Sequence, residues 1–114
     1  KELRVLKDDR LVGCSGESIW GFVVHYDEVH NLPEDQVELL LSTDECKVHG
    51  FKLREKSVWG FQSHPEMTIE MGRSLLEKYS KTDLKNREYF LKTLEQKPKD
   101  SGWIAPLMKN FQKI

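Results

Sequence analysis

Two residues of this chain have the types and the spacing of an acid–base pair. Only Pro65 separates His64 from Glu66. A proline holds its own φ near a fixed value and disfavours helix at the preceding residue, so both side chains can lie on one side of a turn. A carboxylate bound to one imidazole nitrogen fixes the tautomer and leaves the other nitrogen free to take a proton. The pair supplies two of the three members of a nucleophile–base–orienter triad.

The neighbouring segments predict where this pair lies in the fold. Residues 58–61 form a short apolar run, VWGF, which is typical of a strand buried on both faces. After the pair, apolar residues recur every four positions and predict an amphipathic helix; they are Met67, Met71, Leu75 and Tyr79. The pair therefore falls between a strand and a helix, where ligands bind in open α/β sheets.

The rest of the chain predicts strands first and helices afterwards. Apolar and β-branched runs predict strands at 3–6, at 19–24 with an end near His25, at 37–41 and at 48–53. A second helix is expected to begin at Thr82 as its cap and to break at 97–100, and a third is expected from Trp103 to the end. If the chain is a complete domain, this order indicates an α+β protein. If the chain is a part of a domain, the order indicates the second half of an α/β sheet whose first strands and helices are absent.

Two motifs carry a resemblance to a known family. Residues 60–66, GFQSHPE, resemble the G-x-Q-x-H-P-E signature of the class I (triad-type) glutamine amidotransferases. Residues 25–33, HYDEVHNLP, resemble the H-x-D-x-V-x-x-L-P block of members similar to the glutaminase part of GMP synthase. The order and separation of the motifs also agree, and the resemblance extends from about residue 11 to the helix after Glu66.

The resemblance implies a fold and a chemistry. The implied fold is the C-terminal half of a flavodoxin-like domain, with a mostly parallel sheet and flanking helices, so that 1–114 is one portion of a domain. His64 would be the general base and Glu66 its partner. A cysteine would attack the side-chain amide of glutamine, release ammonia and form a thioester that water hydrolyses. No cofactor is implied.

The nucleophilic cysteine of such a triad is expected outside this chain. Residues 12–16, VGCSG, resemble the family's G-x-C-x-G elbow only superficially, since the first glycine falls one place late. Cys14 also precedes His25 by eleven positions, whereas in the family a large part of the domain separates the elbow from that block. We expect Cys14 to be an ordinary loop cysteine and the natural chain to begin upstream of Lys1, which is not Met. The segment alone should be inactive.

The upstream motif and the pair itself allow more than one interpretation. His25, Tyr26 and Asp27 could line the glutamine site, or they could form a strand-ending turn in which Asp27 caps backbone donors. His64 and Glu66 could be a plain surface pair. The flanking strand, Gly60, Gln62 and the upstream motif favour the catalytic interpretation.

Composition excludes several other functions. Lys and Arg number 18 against 19 Asp and Glu, for a net charge of -1, so we expect no nucleic-acid partner. No apolar run is long enough for a membrane span. Two cysteines are too few for a disulfide framework, which favours a reducing cytoplasm. Because no C-x-x-C or H-x-x-x-H spacing occurs, we expect no metal site.

Three functional hypotheses remain. The chain could be part of a glutamine amidotransferase that acts on glutamine and serves a synthetase domain or subunit. It could belong to a γ-glutamyl peptide hydrolase of the same family. It could also be a non-catalytic fragment or pseudoenzyme that acts by association, because a sheet without its first strands exposes an edge that pairs with the missing N-terminal half or with a second copy.

Overall fold

The computed structural model describes residues 1–97 and 104–114, and in them a five-stranded sheet precedes the helices. The strands are β1 (Glu2–Val5), β2 (Ser18–Trp20), β3 (Val37–Ser42), β4 (Gly50–Leu53) and β5 (Trp59–Phe61), in the spatial order β2-β1-β3-β4-β5. The helices are α1 (Ile69–Thr82), α2 (Arg87–Leu94) and α3 (Ile104–Gln112). The predicted order of strands and then three helices is confirmed. Trp103 and positions 98–100 of the predicted break lie outside the described residues.

The mostly parallel sheet implied by the resemblance is not found. Within the described ranges, every strand pairing is antiparallel, namely β1 with β2, β1 with β3, β3 with β4, and β4 with β5. Parallel neighbours need a crossover connection of about a dozen residues or more. Only residues 43–49 join β3 to β4, and residues 54–58 join β4 to β5, so these connections form hairpins.

Strand β5 lies at an edge of the sheet, and its predicted burial on both faces is wrong. Its three residues are half-buried, and Val58 just before it is 48% exposed. A short apolar run has the same appearance in a central strand and in an edge strand whose aromatic side chains reach the core. The strand predicted over 19–24 is also shorter, because β2 ends at Trp20 and only Phe22 forms a further bridge, to His64.

The core lies between one sheet face and α3. Its buried residues come from β1, β2, β3, the loop after β1, and α3; they are Leu3, Val5, Leu11, Val12, Ile19, Leu40, Leu41 and Leu107. The edge-on rings of Trp59 and Phe111 lie 6.3 Å apart, and the Asn110 side chain donates to the Leu11 carbonyl at 3.4 Å. Helix α3 is therefore the layer that covers this face.

Helices α1 and α2 pack against each other as a second unit. The ring centroids of Tyr79 and Phe90 lie 5.8 Å apart. The Arg73 side chain donates to the Leu94 carbonyl at 2.8 Å, which gives a hydrogen bond to a carbonyl at the C-terminal end of α2. A 3-10 turn (Leu84–Asn86) joins the two helices. Its cap is Asp83 and not Thr82, which is the last residue of α1. Among the described residues, no helix is both long and apolar enough to cross a bilayer.

Candidate functional site

The His64 and Glu66 side chains meet as their spacing predicts. His64 Nδ1 lies 3.0 Å from Glu66 Oε1, and the two side chains are 41% and 59% exposed. An Nδ1–H that donates to the carboxylate fixes the tautomer in which Nε2 carries the lone pair. No hydrogen-bond partner of Nε2 occurs in the part of the chain that the structure describes. The imidazole can therefore accept a proton from an incoming group.

The backbone around this pair is held on both sides. The His64 N–H donates to the Phe22 carbonyl at 2.8 Å, and the two rings lie 6.2 Å apart. The Met67 N–H donates to the His64 carbonyl at 3.1 Å, closing the turn around Pro65. Thr68 then caps α1 by accepting from the Met71 N–H at 3.1 Å. The pair thus lies between a fixed strand end and a capped helix.

The upstream motif forms an ordered turn. His25 Nδ1 lies 2.7 Å from the Asp27 carbonyl oxygen, and the Tyr26 hydroxyl donates to Asp83 Oδ2 at 2.7 Å. The bond to Asp83 raises the pKa of Tyr26, while bonds from Asn86 and Tyr26 lower the pKa of Asp83. Asp27 contributes its backbone carbonyl here, and its exposed carboxylate makes no hydrogen bond within the described residues. Asp27 therefore does not act as the side-chain cap that one interpretation of the motif required.

Gln62 connects the two motifs, a role that sequence spacing alone did not assign. Its Nε2 donates to the Asp27 carbonyl at 3.0 Å, and its Oε1 lies 3.5 Å from Cys46 Sγ. Its backbone N–H donates to the His49 carbonyl at 2.9 Å. The glutamine of the G-x-Q-x-H-P-E signature, two residues before the histidine, was the available signal. The structure therefore brings the turn at residues 25–27 to the segment that carries His64.

A cluster of His25, Cys46 and His49 was also missed by sequence reasoning. Cys46 and His49 are 5% and 2% exposed, and the His25 and His49 rings meet edge-on at 5.8 Å. Burial raises the pKa of the Cys46 thiol, and burial followed by His25 lowers the pKa of His49. The C-x-x-H spacing at 46–49 was the available sequence signal, but the contribution of His25 depends on the fold.

A cleft of about 730 Å³ lies between the α1–α2 unit and the segment that follows the edge strand β2. His25, Tyr26 and Glu66 are among its lining residues, whereas His64 and Asp27 are not. Much of its wall is apolar, with contributions that include Phe22, Val23, Val24, Leu76 and Phe90. Three of the five candidate site residues thus line this cleft, and His64 and Asp27 do not.

Cys14 lies away from any strand-to-helix elbow. It is exposed in the loop between β1 and β2, where its carbonyl accepts from the Glu17 N–H at 3.1 Å. The flanking Gly13 and Gly16 have φ values of 116° and 88°, which glycine adopts readily. The local geometry is that of a tight polar loop.

Comparison with known proteins finds relatives among the glutamine-hydrolysing GMP synthases. The chain is 35% identical over 81 residues to a subunit of the glutamine-hydrolysing GMP synthase of Methanosphaera stadtmanae, covering 70% of this chain and 43% of that protein. It is 35% identical over 66 residues to the corresponding subunit from Methanobrevibacter smithii, covering 58% and 34%. It is 38% identical over 64 residues to the glutamine-hydrolysing GMP synthase of Caldicellulosiruptor saccharolyticus, covering 55% and 12%.

These matches confirm the resemblance to glutamine amidotransferases of the GMP synthase type. The chain spans less than half the length of these curated relatives. No protein-family model matches the chain.

Proposed function

This chain is a relative of the class I glutamine amidotransferases of the GMP synthase type, and we propose that it supplies the base and the orienting carboxylate of a glutaminase. The observation that carries the proposal is the 3.0 Å contact between His64 Nδ1 and Glu66 Oε1. That contact leaves Nε2 as the proton acceptor of a Cys-His-Glu triad. The cysteine would belong to a part of the full protein other than this chain, so the segment alone should not hydrolyse glutamine.

The proposed reaction uses His64 twice. Its Nε2 takes the thiol proton, and the thiolate sulfur attacks the side-chain amide carbon of glutamine. His64 then returns the proton to the departing nitrogen, so ammonia leaves and a γ-glutamyl thioester remains. Water, deprotonated by the same imidazole, hydrolyses the thioester to glutamate and regenerates the thiol. Glu66 holds the ring and stabilises the imidazolium in each half of the cycle.

The upstream motif is a proposed part of the substrate site. His25 and Tyr26 line the cleft beside Glu66, and the hydrogen bond from Gln62 to the Asp27 carbonyl holds their turn against the strand that leads to His64. Tyr26 is 72% exposed, so its ring is available at the cleft, while its hydroxyl donates to Asp83. We assign these residues, with Asp27, to binding glutamine rather than to chemistry.

The names of the relatives suggest where the ammonia goes. Some relatives are separate subunits of GMP synthase, and others are single GMP synthase chains of which this segment covers a small share. By analogy, a synthetase domain or subunit would receive the ammonia. Both cysteines of this chain are free thiols, which fits a reducing compartment such as the cytoplasm.

Trapping the thioester tests the assignment of the nucleophile. Full-length protein is mixed with isotopically labelled glutamine, quenched in acid and digested for mass spectrometry. The γ-glutamyl label should lie on a cysteine outside residues 1–114. A label on Cys14, together with its loss in Cys14→Ala, would show that the elbow is within this chain and that the proposal misplaces it.

A further inference from the structure

We propose that His25, Cys46 and His49 form a binding site for a Zn²⁺ ion at the wall of the cleft. One nitrogen of each histidine and the Cys46 sulfur all lie within 4.8 Å of one another. Imidazole nitrogen and thiolate sulfur are ligands that Zn²⁺ prefers. The inference depends on this geometry alone and does not require the glutaminase assignment. With the ion bound, both ring nitrogens of His25 are engaged, and Tyr26 and Asp27 are the residues of the turn that remain to bind glutamine.

The hydrogen bonding of His25 prepares one ring nitrogen as a ligand. Its Nδ1 lies 2.7 Å from the Asp27 carbonyl oxygen, which can only accept a hydrogen bond. Nδ1 therefore carries the proton, and Nε2 carries the free lone pair. Metal-bound histidines commonly donate their second N–H to a backbone carbonyl in this way. The turn at residues 25–27 thus leaves Nε2 of His25 free to bind a metal ion.

Thr43 favours the opposite tautomer in His49, with the proton on Nε2. The Thr43 hydroxyl donates to the Cys46 carbonyl at 3.3 Å, and its oxygen accepts from the Cys46 N–H at 3.1 Å. With its proton engaged, the hydroxyl acts as an acceptor for His49 Nε2, 3.2 Å away. The Nδ1 lone pair of His49 is then left free.

That lone pair is on a buried polar atom, Nδ1 of His49. His49 is 2% exposed, and its Nδ1 has no hydrogen-bond partner among the described residues. An unsatisfied buried polar atom costs free energy and in a native structure often marks a missing water or ion. The lowered pKa of His49 keeps the ring neutral, which is the form that binds metals.

The Cys46 sulfur is the third proposed ligand. Its sulfur has only weak partners within the described residues, the Val48 carbonyl at 3.6 Å and Gln62 Oε1 at 3.5 Å. Burial raises the pKa of this thiol, so without a metal the sulfur carries its proton. On binding, the sulfur–hydrogen bond breaks, the proton leaves to solvent, and the sulfur forms a bond to the metal with the freed electron pair.

The fourth position of the ion would face the cleft. All three ligand residues line the cleft, and three protein ligands with one open position are typical of non-structural Zn²⁺ sites. Tetrahedral coordination brings ligand atoms to roughly 3.3–3.7 Å apart, given Zn–N and Zn–S bonds of about 2.0–2.3 Å. The half-buried His25 ring is the ligand with room to close the remaining distance.

The test is a Co²⁺ titration of metal-free full-length protein, with Zn²⁺ as competitor. One equivalent of Co²⁺ should produce a thiolate-to-metal charge-transfer band that Zn²⁺ removes. Cys46→Ala should abolish the band, and His25→Ala should weaken binding without disturbing a buried residue. The exposed thiol variant Cys14→Ser is the matched control and should retain the band. No uptake by the wild type, or a band that is lost with Cys14 and kept without Cys46, would overturn the site.

Thr43 supplies a second test that leaves every ligand in place. Thr43→Val removes the acceptor of the His49 Nε2–H and should weaken Zn²⁺ binding roughly 10–100-fold, the usual cost of losing an outer-shell partner. Thr43→Ser keeps the hydroxyl and should bind like wild type. Equal affinities of the two variants, measured by calorimetry on samples with matching circular dichroism, would contradict the proposed ligand geometry.

Discussion

At the scale of single residues, the His64–Glu66 contact shows how much a two-residue spacing determines. The contact needs only a turn whose φ is restrained by Pro65 and a helix that begins after it, and both requirements could be read from the sequence. Nothing in that spacing identifies the third member of a triad. Substitutions of His64 should lower activity more than substitutions of Glu66, since His64 would transfer the proton and Glu66 would orient the imidazole.

Glu66→Gln should reduce glutamine turnover in the full-length protein while leaving it measurable. The base stays present, but its tautomer and its imidazolium form lose their carboxylate. We expect kcat to fall by roughly 10²–10⁴-fold, which is less than the loss on removing His64. Steady-state ammonia release measures this. An unchanged kcat would mean that Glu66 does not orient the base.

A second residue-scale prediction concerns the tether of Tyr26. The pKa of Tyr26 is raised above its ordinary 10.0 because its hydroxyl donates to the Asp83 carboxylate. A raised folded-state pKa means that the bond stabilises the loop below about pH 10 and is lost as the pH rises through that raised value. Asp83→Asn removes the negative charge and should bring the pKa back towards 10.0. NMR titration of the Tyr26 ring carbon measures the shift, and an unmoved pKa would contradict the tether.

At the scale of elements, the glycine of the signature motif has a packing role. A Cβ added at Gly60 would lie 2.5 Å from Cζ of Phe51, its cross-strand neighbour on β4. Gly72 on α1 has a similar relation to Phe22, at 2.5 Å from Cδ2. The absence of a side chain at Gly60 therefore lets the Phe51 ring lie across β5, and its absence at Gly72 lets the Phe22 ring lie against α1. Gly60 is four residues before His64, and the Phe22 carbonyl accepts from the His64 N–H.

Gly60→Ala should destabilise the protein by about 1–3 kcal/mol through overpacking against Phe51. In a Phe51→Leu background the same substitution should cost less, because the smaller side chain makes room for the Cβ. Chemical denaturation of the four proteins gives the coupling free energy. Equal costs in both backgrounds would show that the ring contact does not determine the residue at 60.

The sequence predicted the existence and order of these elements better than their pairing. Local periodicity located the strands near 3, 37 and 58 and the helix after residue 66, since it depends on neighbouring residues alone. The antiparallel pairing of β4 with β5 and the edge position of Val58 depend on which strands meet, which no local pattern encodes. The same limit hid the metal-ligand cluster, because His25 joins Cys46 and His49 only through the fold.

At the scale of the whole molecule, the described chain is less compact than its length implies. Its radius of gyration is 15.0 Å, whereas a compact domain of this size has about 13 Å. The cleft of about 730 Å³ lies between the α1–α2 unit and the segment that follows β2. Large apolar side chains also remain exposed outside the core, including Leu84 at 71% and Phe111 at 50%. These features indicate a surface that further polypeptide would cover.

The isolated 114-residue segment should therefore associate rather than persist as a packed monomer. We expect either a dimer of the segment or a complex that forms when the rest of the natural domain is added. Covering about 800 Å² of apolar surface would favour assembly by roughly 20 kcal/mol before entropy costs. Sedimentation equilibrium at micromolar concentration, with intact mass spectrometry, reports the species. A monomer of 13.4 kDa with a cooperative melt would contradict this expectation.

The most direct test of the proposed triad compares two histidines that each face a carboxylate. His64 lies 3.0 Å from Glu66, and His30 lies 3.5 Å from Glu28 on the exposed surface. In the full-length protein, His64→Ala should abolish ammonia release from glutamine, while His30→Ala should leave kcat unchanged because that pair makes no part of the proposed triad. Wild-type rates in His64→Ala, or equal losses in both variants, would contradict the assignment of His64 as the general base.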